Sequence, residues 1–433
     1  MRYVMYHKEY MWFKSTPGFV AARRIIEWLH IHGHDAYLVG GCVRDTYLTG
    51  RDPKDYDVVT AALPERVEEL FQGSTKAIGA KFGVIQVQNS PDGLILCQND
   101  MINTEVATYR SDGAYSDNRR PDRVKFSDNL EEDIKRRDFT MNGLAYNPVD
   151  GELIDYVDGV RDIKSRLIRC IGNPQDRFGE DALRMLRAIR FAVQLDFQIE
   201  AATWKALCCQ AYLAFHISQE RVREELIKML VSPDPARALY LMNQSGLLNV
   251  LFPSGIVNEF HRTLLKLQWG QQIEADYLTM LTIMSGHTMI ASLDRFLSCL
   301  KLSAEEEKQI RNARSIATSL TATAPISRAA LIRHLRTPGI TVAMAYASTL
   351  EAIDGCLSND HWDARLASLV NLNTPEIVDQ KPFVTGNDLI ARGIEPGPVY
   401  KTLLYQLETA QLNLEINNRS EALQWLDAHI LTT

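Results

Sequence analysis

No apolar run in the 433-residue chain approaches the ~18–20 residues that a membrane-spanning helix needs. The amino terminus, MRYVMYHKEYMWFK, has no apolar core ahead of a small-residue cleavage site, so it is not read as a secretory signal. Cysteine is sparse. The seven cysteines include no CxxC pair, Cys208 and Cys209 are adjacent, and the others are scattered. That usage fits reduced thiols in the cytoplasm and excludes a disulfide framework or a zinc finger. A basic excess is also missing: 47 Lys+Arg face 54 Asp+Glu, for a net charge of −7. A globally basic nucleic-acid coat is excluded, although a local groove is not, because steering depends on how charge is distributed. Repeats and low-complexity segments are absent as well.

What remains is ordinary globular material, 46% hydrophobic and 23% charged. At roughly 100–200 residues per domain, the length predicts two to four domains. Up to about residue 170 the pattern is mixed α/β. A helix over 18–33 leads into a strand at AYLVGG, a helix at VRDTYLTG closed by Gly50, a strand at YDVVT and a helix opened by Pro64. Strand-like runs follow at GVIQVQ, GLILCQ and INTEVATY. From NPQDRFGEDALRMLRAIRF onward almost every segment has helical periodicity, which predicts an α/β head followed by helical bundles. Turn-rich breaks lie at 232–235, 322–327 and 380–388.

Four constellations carry chemistry. In LVGGCVRD, Gly40 and Gly41 let backbone amides approach a polyanion at a helix start, and Arg44 projects from the first helical turn. Asp55 and Asp57 follow at i, i+2 on the next strand, so both side chains are expected on one face, where two carboxylates could hold a pair of Mg²⁺ ions. Glu105 in INTEVATY is a candidate third acid, or else an ordinary edge carboxylate. In KRRDFTMNGLAY, an arginine could meet a triphosphate while Asp138 or Asn142 accepts from a ribose hydroxyl; the alternative is a capped helix start.

In RFGEDALRMLRAIRF, Asp181, Arg184 and Arg187 step by i, i+3 along one expected helix, and Arg190 points elsewhere. A salt-bridged surface helix with a Glu180–Arg184 pair is one reading. The other is a protein-built template: a carboxylate acceptor and a guanidinium donor match the edges of cytosine and adenine and mismatch guanine and uracil. Finally, residues 109–126 interleave Gly, Ser, Asp and Arg without periodicity, as in a mobile functional loop or a solvated excursion. Gly113 is its candidate hinge, with Arg119, Arg120 and Asp122 available to re-aim partners.

The set LVGGCVRD, DYD, RRDFTMN and EDALRMLRAIRF, in this order and spacing, resembles the class II tRNA nucleotidyltransferase and bacterial poly(A) polymerase family. ISQERVREELIKML with ARALYLMNQSGLL, and PGPVYKTLLYQLETAQL, extend the resemblance to residues 36–426. It implies an α+β fold: a polymerase-β-like nucleotidyltransferase head followed by an all-α neck, body and tail. The expected divisions are a leader of unknown role (1–17), head (18–172), neck with the base-template helix (173–231), body (232–325) and tRNA-binding tail (326–433). It also implies that Asp55 and Asp57 hold the metals, Gly41 and Arg44 the triphosphate, Arg137 with Asp138 phosphate and ribose, and Asp181 with Arg184 the base edge. Arg187 and Arg190 match further nucleotide-contacting arginines. One departure is Gly143, where the family commonly has alanine, a change expected to lower helix propensity.

The implied activity is Mg²⁺-dependent addition of CMP and AMP from CTP and ATP to the tRNA 3′ end, in the cytoplasm. No membrane, DNA or obligate protein partner is expected. The alternatives are poly(A) polymerase and an enzyme adding only the terminal A. A basic carboxyl-terminal extension of the kind expected in poly(A) polymerases is missing from ALQWLDAHILTT.

Overall fold

The computed structural model describes residues 4–5, 13–79, 83–89, 102–112, 124–252, 260–286 and 290–430. It divides into two compact units, Met1–Pro253 and Ser254–Thr433.

The first unit is built on an eight-stranded sheet. Its strands are β1 (Val4–Met5), β2 (Ala36–Val39), β3 (Asp57–Thr60), β4 (Thr75–Gly79), β5 (Val84–Asn89) and β6 (Ile102–Thr108). A separate hairpin of β7 (Arg110–Asp112) and β8 (Val124–Phe126) precedes β9 (Leu144–Asn147) and β10 (Glu152–Asp155), which complete the sheet. The spatial order is β1-β10-β9-β2-β3-β6-β5-β4, antiparallel except for the β3–β6 pair. The expected strand at GLILCQ lies outside the described residues, as do Gly113, Arg119, Arg120 and Asp122.

Local chemistry explains the elements around β2 and β3. Helix α1 (Pro17–Ile31) starts with proline in its first turn, and the Thr16 hydroxyl accepts from the Phe19 N–H. It buries Phe19, Ala22, Ile25, Ile26 and Leu29. Ahead of it, Phe13 is buried and stacks on Phe19 at 5.0 Å. Helix α2 (Gly41–Thr49) ends at Gly50 in the left-handed conformation, as its sequence predicts. Helix α3 (Pro64–Leu70) opens on Pro64. The segment 109–126 is less irregular at its ends than its composition suggests. Tyr109 is fully buried, and the three-residue strands β7 and β8 pair in register from Arg110–Phe126 to Asp112–Val124.

Beyond α4 (Leu130–Lys135) and α5 (Gly159–Lys164), the first unit becomes helical: α6 (Pro174–Glu180), α7 (Leu183–Leu195), α8 (Ala201–Gln210) and α9 (Gln219–Leu230). The stretch read as helical holds one strand, the two-residue β12 (Gln198–Ile199), which pairs in parallel with β11 (Leu167–Ile168) and is too short to leave an alternating pattern. The described part of the second unit is helical from Phe260–Gln272 to Arg419–Ile430. Its last helices pack around Leu389, Leu403, Leu407 and Leu426. Arg333 and Arg336 both bond Glu408 at 2.9 Å. Among the described residues, no helix is long and apolar enough to cross a membrane.

Gly143 is explained by packing. It does not sit inside a helix but closes a single 3₁₀ turn, Thr140–Asn142, so helix propensity is not the relevant quantity. A Cβ there would lie 2.6 Å from Val157 Cγ2 and within 3.3 Å of Ile171 and Ile134. Gly143→Ala should therefore destabilise the first unit by about 1–3 kcal/mol, read as a lowered urea midpoint with an unchanged slope.

Candidate active site

The site begins at the turn between β2 and α2. Gly40 has φ +74, ψ −133, a conformation that favours glycine, and it leaves the helix start without a side-chain cap. A Cβ on Gly40 would point at Arg137 Nη1 (3.5 Å) and Asp57 Oδ2 (4.0 Å), so the missing side chain keeps an aspartate and an arginine close to bare backbone. Arg44 is buried. Its Nη1 donates to Asn142 Oδ1 (2.6 Å), and its Nε to Asp45 (2.8 Å).

Asp57 opens β3, in register with Val39 on β2 and Glu105 on β6. Asp55 lies two residues ahead of the strand, so the expected shared strand face is not what unites the pair; both nevertheless line the same pocket. Burial, then Glu105, pushes the Asp57 carboxyl above its usual range; Asp55 adds to this and Arg137 opposes it. Asp57 is accessible to solvent but crowded by like charge. Asp55 and Asp57 thus offer hard oxygen donors whose repulsion a divalent cation would relieve, a set that fits Mg²⁺. Glu105 neighbours Asp57 without itself lining the pocket. Among the described residues, no group of three or more His, Cys, Asp or Glu side chains could hold a metal.

The second wall comes from KRRDFTMN. Asp133 on α4 is fully buried and holds Arg136 (2.7 Å) and Arg137 (3.0 Å). Burial alone would raise its carboxyl; Arg137 and Arg136 outweigh that and hold it low. Asp138 is more tightly bound. Arg187 donates to Oδ2 from Nε (2.8 Å), with its Nη2 ion-paired to the same oxygen at 2.7 Å, while Oδ1 accepts from Asn142 Nδ2 (3.0 Å) and the Phe139 N–H (2.8 Å). A carboxylate has about four acceptor positions. Here three are filled by hydrogen bonds and Arg187 Nη2 crowds the fourth, so Asp138 brackets Arg187 and Asn142, and a ribose contact would compete with them.

Burial opposes the Asp138 charge, but Arg187 and the Asn142 bond overcome it and leave the group at about 2. A depressed value means that the stability it gives is present above about pH 4 and is lost as pH falls through about 2. Asp138→Asn should cost on the order of 2 kcal/mol at neutral pH and flatten the unfolding free energy between about pH 4 and 2, measured by urea titration.

The third wall corrects one expectation. Asp181, Arg184 and Arg187 do not share one helix. The chain breaks after α6, and Asp181 is extended (φ −144, ψ 103) before α7 begins at Leu183. Its Oδ1 accepts from the Leu183 N–H at 3.0 Å, the bond expected of a residue that starts a helix. Its carboxylate is gripped by both amino groups of Arg221 from α9, at 3.2 and 2.8 Å. Arg184 is buried, pairs with Glu180 at 2.6 Å and donates to the Arg177 and Arg136 carbonyls at 3.0 Å. The Glu180–Arg184 ion pair is therefore real, yet Arg184 also lines the pocket. Arg190 turns to buried Glu225 (2.5 Å), a different neighbour as expected. The Phe191 ring is faced by three guanidinium groups, Arg190 at 3.9 Å, Arg44 at 4.9 Å and Arg187 at 5.3 Å.

These walls enclose one pocket of about 700 Å³. Gly40, Gly41, Arg44, Asp55, Asp57 and Arg137 line it, with Asp138, Asn142, Asp181, Arg184, Arg187 and Arg190. The sequence reading chose Arg137 and missed Arg136, Leu183, Phe191, Arg221 and Lys228. The lining has seven arginines and one lysine against four aspartates. A strongly cationic cleft in an acidic chain suits a polyanion, and a donor–acceptor pair beside it suits a base: together, a nucleoside triphosphate.

Comparison with known proteins agrees. Residues 36–169 match the family model of the poly A polymerase head domain, and 196–256 one described as a probable RNA and SrmB-binding site of polymerase A. Residues 271–426 match tRNA nucleotidyltransferase domain 2. The chain is 32% identical over 416 residues to a CCA-adding enzyme of Limosilactobacillus reuteri, covering 95% of this chain and 96% of the relative. It is 45% identical over 231 residues to that of Geobacillus thermodenitrificans, covering 53% and 54%. The crystal structure of the Bacillus stearothermophilus CCA-adding enzyme in complex with CTP superposes with a TM-score of 0.76 at 32% identity, over 96% and 98% of the two chains. The chain belongs to the CCA-adding, tRNA nucleotidyltransferase family.

Proposed function

We propose that the protein adds CMP and AMP to the 3′ end of tRNA, building or repairing CCA from CTP and ATP with release of pyrophosphate. The observation that carries this reading is that one pocket joins a glycine-rich helix start and arginines to the Asp181 and Arg184 pair. Full-length similarity to CCA-adding enzymes supports it.

In this reading the Gly40–Gly41 backbone, Arg44 and Arg137 take the triphosphate, and Asp138 fixes Arg187 against it. Asp181, aimed by Arg221, accepts from the amino group of cytosine or adenine, and Arg184 donates to the adjacent ring nitrogen. Asp55 and Asp57 would hold Mg²⁺, which when bound supplies activation of the primer hydroxyl and neutralisation of the leaving pyrophosphate. The protein's own contribution is positioning and preorganised charge, since in-line phosphoryl transfer asks little covalent chemistry of it. The six described cysteines are unpaired, which supports a cytoplasmic setting.

The test uses tRNAs lacking CCA, ending in C, ending in CC, and complete, each with labelled CTP or ATP. Two C additions followed by one A, and none on the complete tRNA, are expected. Runs of A would establish poly(A) synthesis instead, and extension only of the CC end would establish an A-adding enzyme.

A further inference from the structure

Helix α8 continues without a gap into a 3₁₀ helix, Ala211–His216. One side of this rod enters the core through Thr203, Ala206, Leu207, Ala211 and Ala214. The other leaves Tyr212 62% and Phe215 76% exposed. A 3₁₀ helix has three residues per turn, so side chains at i and i+3 eclipse. Tyr212 and Phe215 therefore project from the same side, one above the other. The His216 ring meets Phe215 edge-on, with centroids 5.7 Å apart at 87°. Lys205, seven residues before Tyr212 and so two helical turns away on that side, is exposed too.

Two neighbouring aromatic rings in water contribute little to folding, and their exposure asks for a ligand. The surroundings choose among ligands. An apolar protein partner would be met by further large aliphatic surface, but the other exposed residues of 201–220 are small or polar: Ala201, Ala202, Lys205, Cys209, His216, Gln219 and Glu220. Residues 201–219 contain no aspartate or glutamate at all, in a chain that is acidic overall. Flat rings and a lysine, with no carboxylate between Glu200 and Glu220, suit bases and phosphates. The segment also falls within the stretch, 196–256, that matches the probable RNA-binding family model.

We propose that Tyr212 and Phe215 form a stacking platform for unpaired bases of the RNA substrate, with Lys205 and His216 beside them for the backbone. The proposal rests on the tRNA reading above. The rings take bases by their faces, without reading sequence, and stand apart from the residues that line the nucleotide pocket.

The experiment compares wild type with Tyr212→Ala, Phe215→Ala and the double variant, using tRNA lacking CCA and a blunt RNA duplex without unpaired nucleotides. The double variant should bind that tRNA roughly tenfold or more weakly and raise its KM correspondingly, with the KM for CTP unchanged. Tyr212→Phe and Phe215→Tyr, which keep the rings, should bind as wild type. The blunt duplex should bind wild type and variants alike. Unchanged tRNA affinity in the double variant, or an equal loss on the blunt duplex, would overturn the platform. A change of sedimentation with tRNA affinity intact would assign the face to a protein contact and overturn it as well. A wild type that neither binds nor extends tRNA would defeat the functional reading itself, a result distinct from any of these.

Discussion

Asp55→Ala or Asp57→Ala should lower turnover by roughly 10³-fold or more, since loss of a catalytic metal removes several kcal/mol of transition-state stabilisation. The fold should survive. Asp57 is crowded by Glu105 and Asp55, so deleting its charge relieves repulsion that the folded state bears when no cation is present. Asp57→Ala is therefore expected to melt no lower than wild type in metal-free buffer. Mg²⁺ should raise the wild-type melting temperature and leave that of the variant nearly still. Turnover and calorimetry on the same samples separate the two effects. Retention of more than roughly a tenth of wild-type turnover in Mg²⁺ would sink the metal assignment.

The second large effect is expected at the base edge. Asp181→Asn keeps the shape of the side chain but offers an amide where cytosine and adenine present an amino group. It should lower kcat/KM for CTP and ATP together by roughly 10- to 100-fold while UTP gains relative to both. Arg221→Ala should act on the same step less directly. It removes the 2.8 and 3.2 Å grip on the Asp181 carboxylate and leaves only the Leu183 N–H to aim it. A raised KM for both nucleotides with a smaller change in kcat is the expected signature. A reciprocal charge exchange between positions 181 and 184 is a poor test: it would set a carboxylate beside Glu180 and a guanidinium against Arg221. Unchanged nucleotide preference in Asp181→Asn would place base reading elsewhere.

Much of this pocket was legible because its parts are short and local. The glycine pair, Arg44 and the Asp55–Asp57 spacing sit on a strand-turn-helix-strand whose elements each announce themselves. The break at Asp181 did not, because EDALRMLRAIRF is apolar at helical spacing and contains no glycine or proline. The available signal was an aspartate just ahead of an apolar run, the same cap pattern read at Asp138. Arg221 and Lys228 were hidden differently. Periodicity shows that ISQERVREELIKML has a polar face, but not which part of the molecule that face meets. The β7–β8 hairpin and β11–β12 pair are two or three residues long, below what alternation can register. Gly143 shows the converse limit: propensity reasoning named the residue, but its cause is a methyl group 2.6 Å away in tertiary space.

The ring of Phe191 has an energetic corollary. Arg44 is tied to Asp45 and Asn142, Arg187 to Asp138 and Arg190 to Glu225, so their polar partners differ. What they have in common is the Phe191 ring. Three like charges cannot shift about a single ring independently, so a substitution at one redistributes the other two. Thermodynamic coupling should thus appear between Arg44 and Arg190, which belong to different helices, and the cost of changing both should depart from the sum of the separate costs. With leucine at position 191 that coupling should fade, since the common support would be gone. Variation at any one of these arginines is then constrained by the other two, through a hydrocarbon that carries no charge.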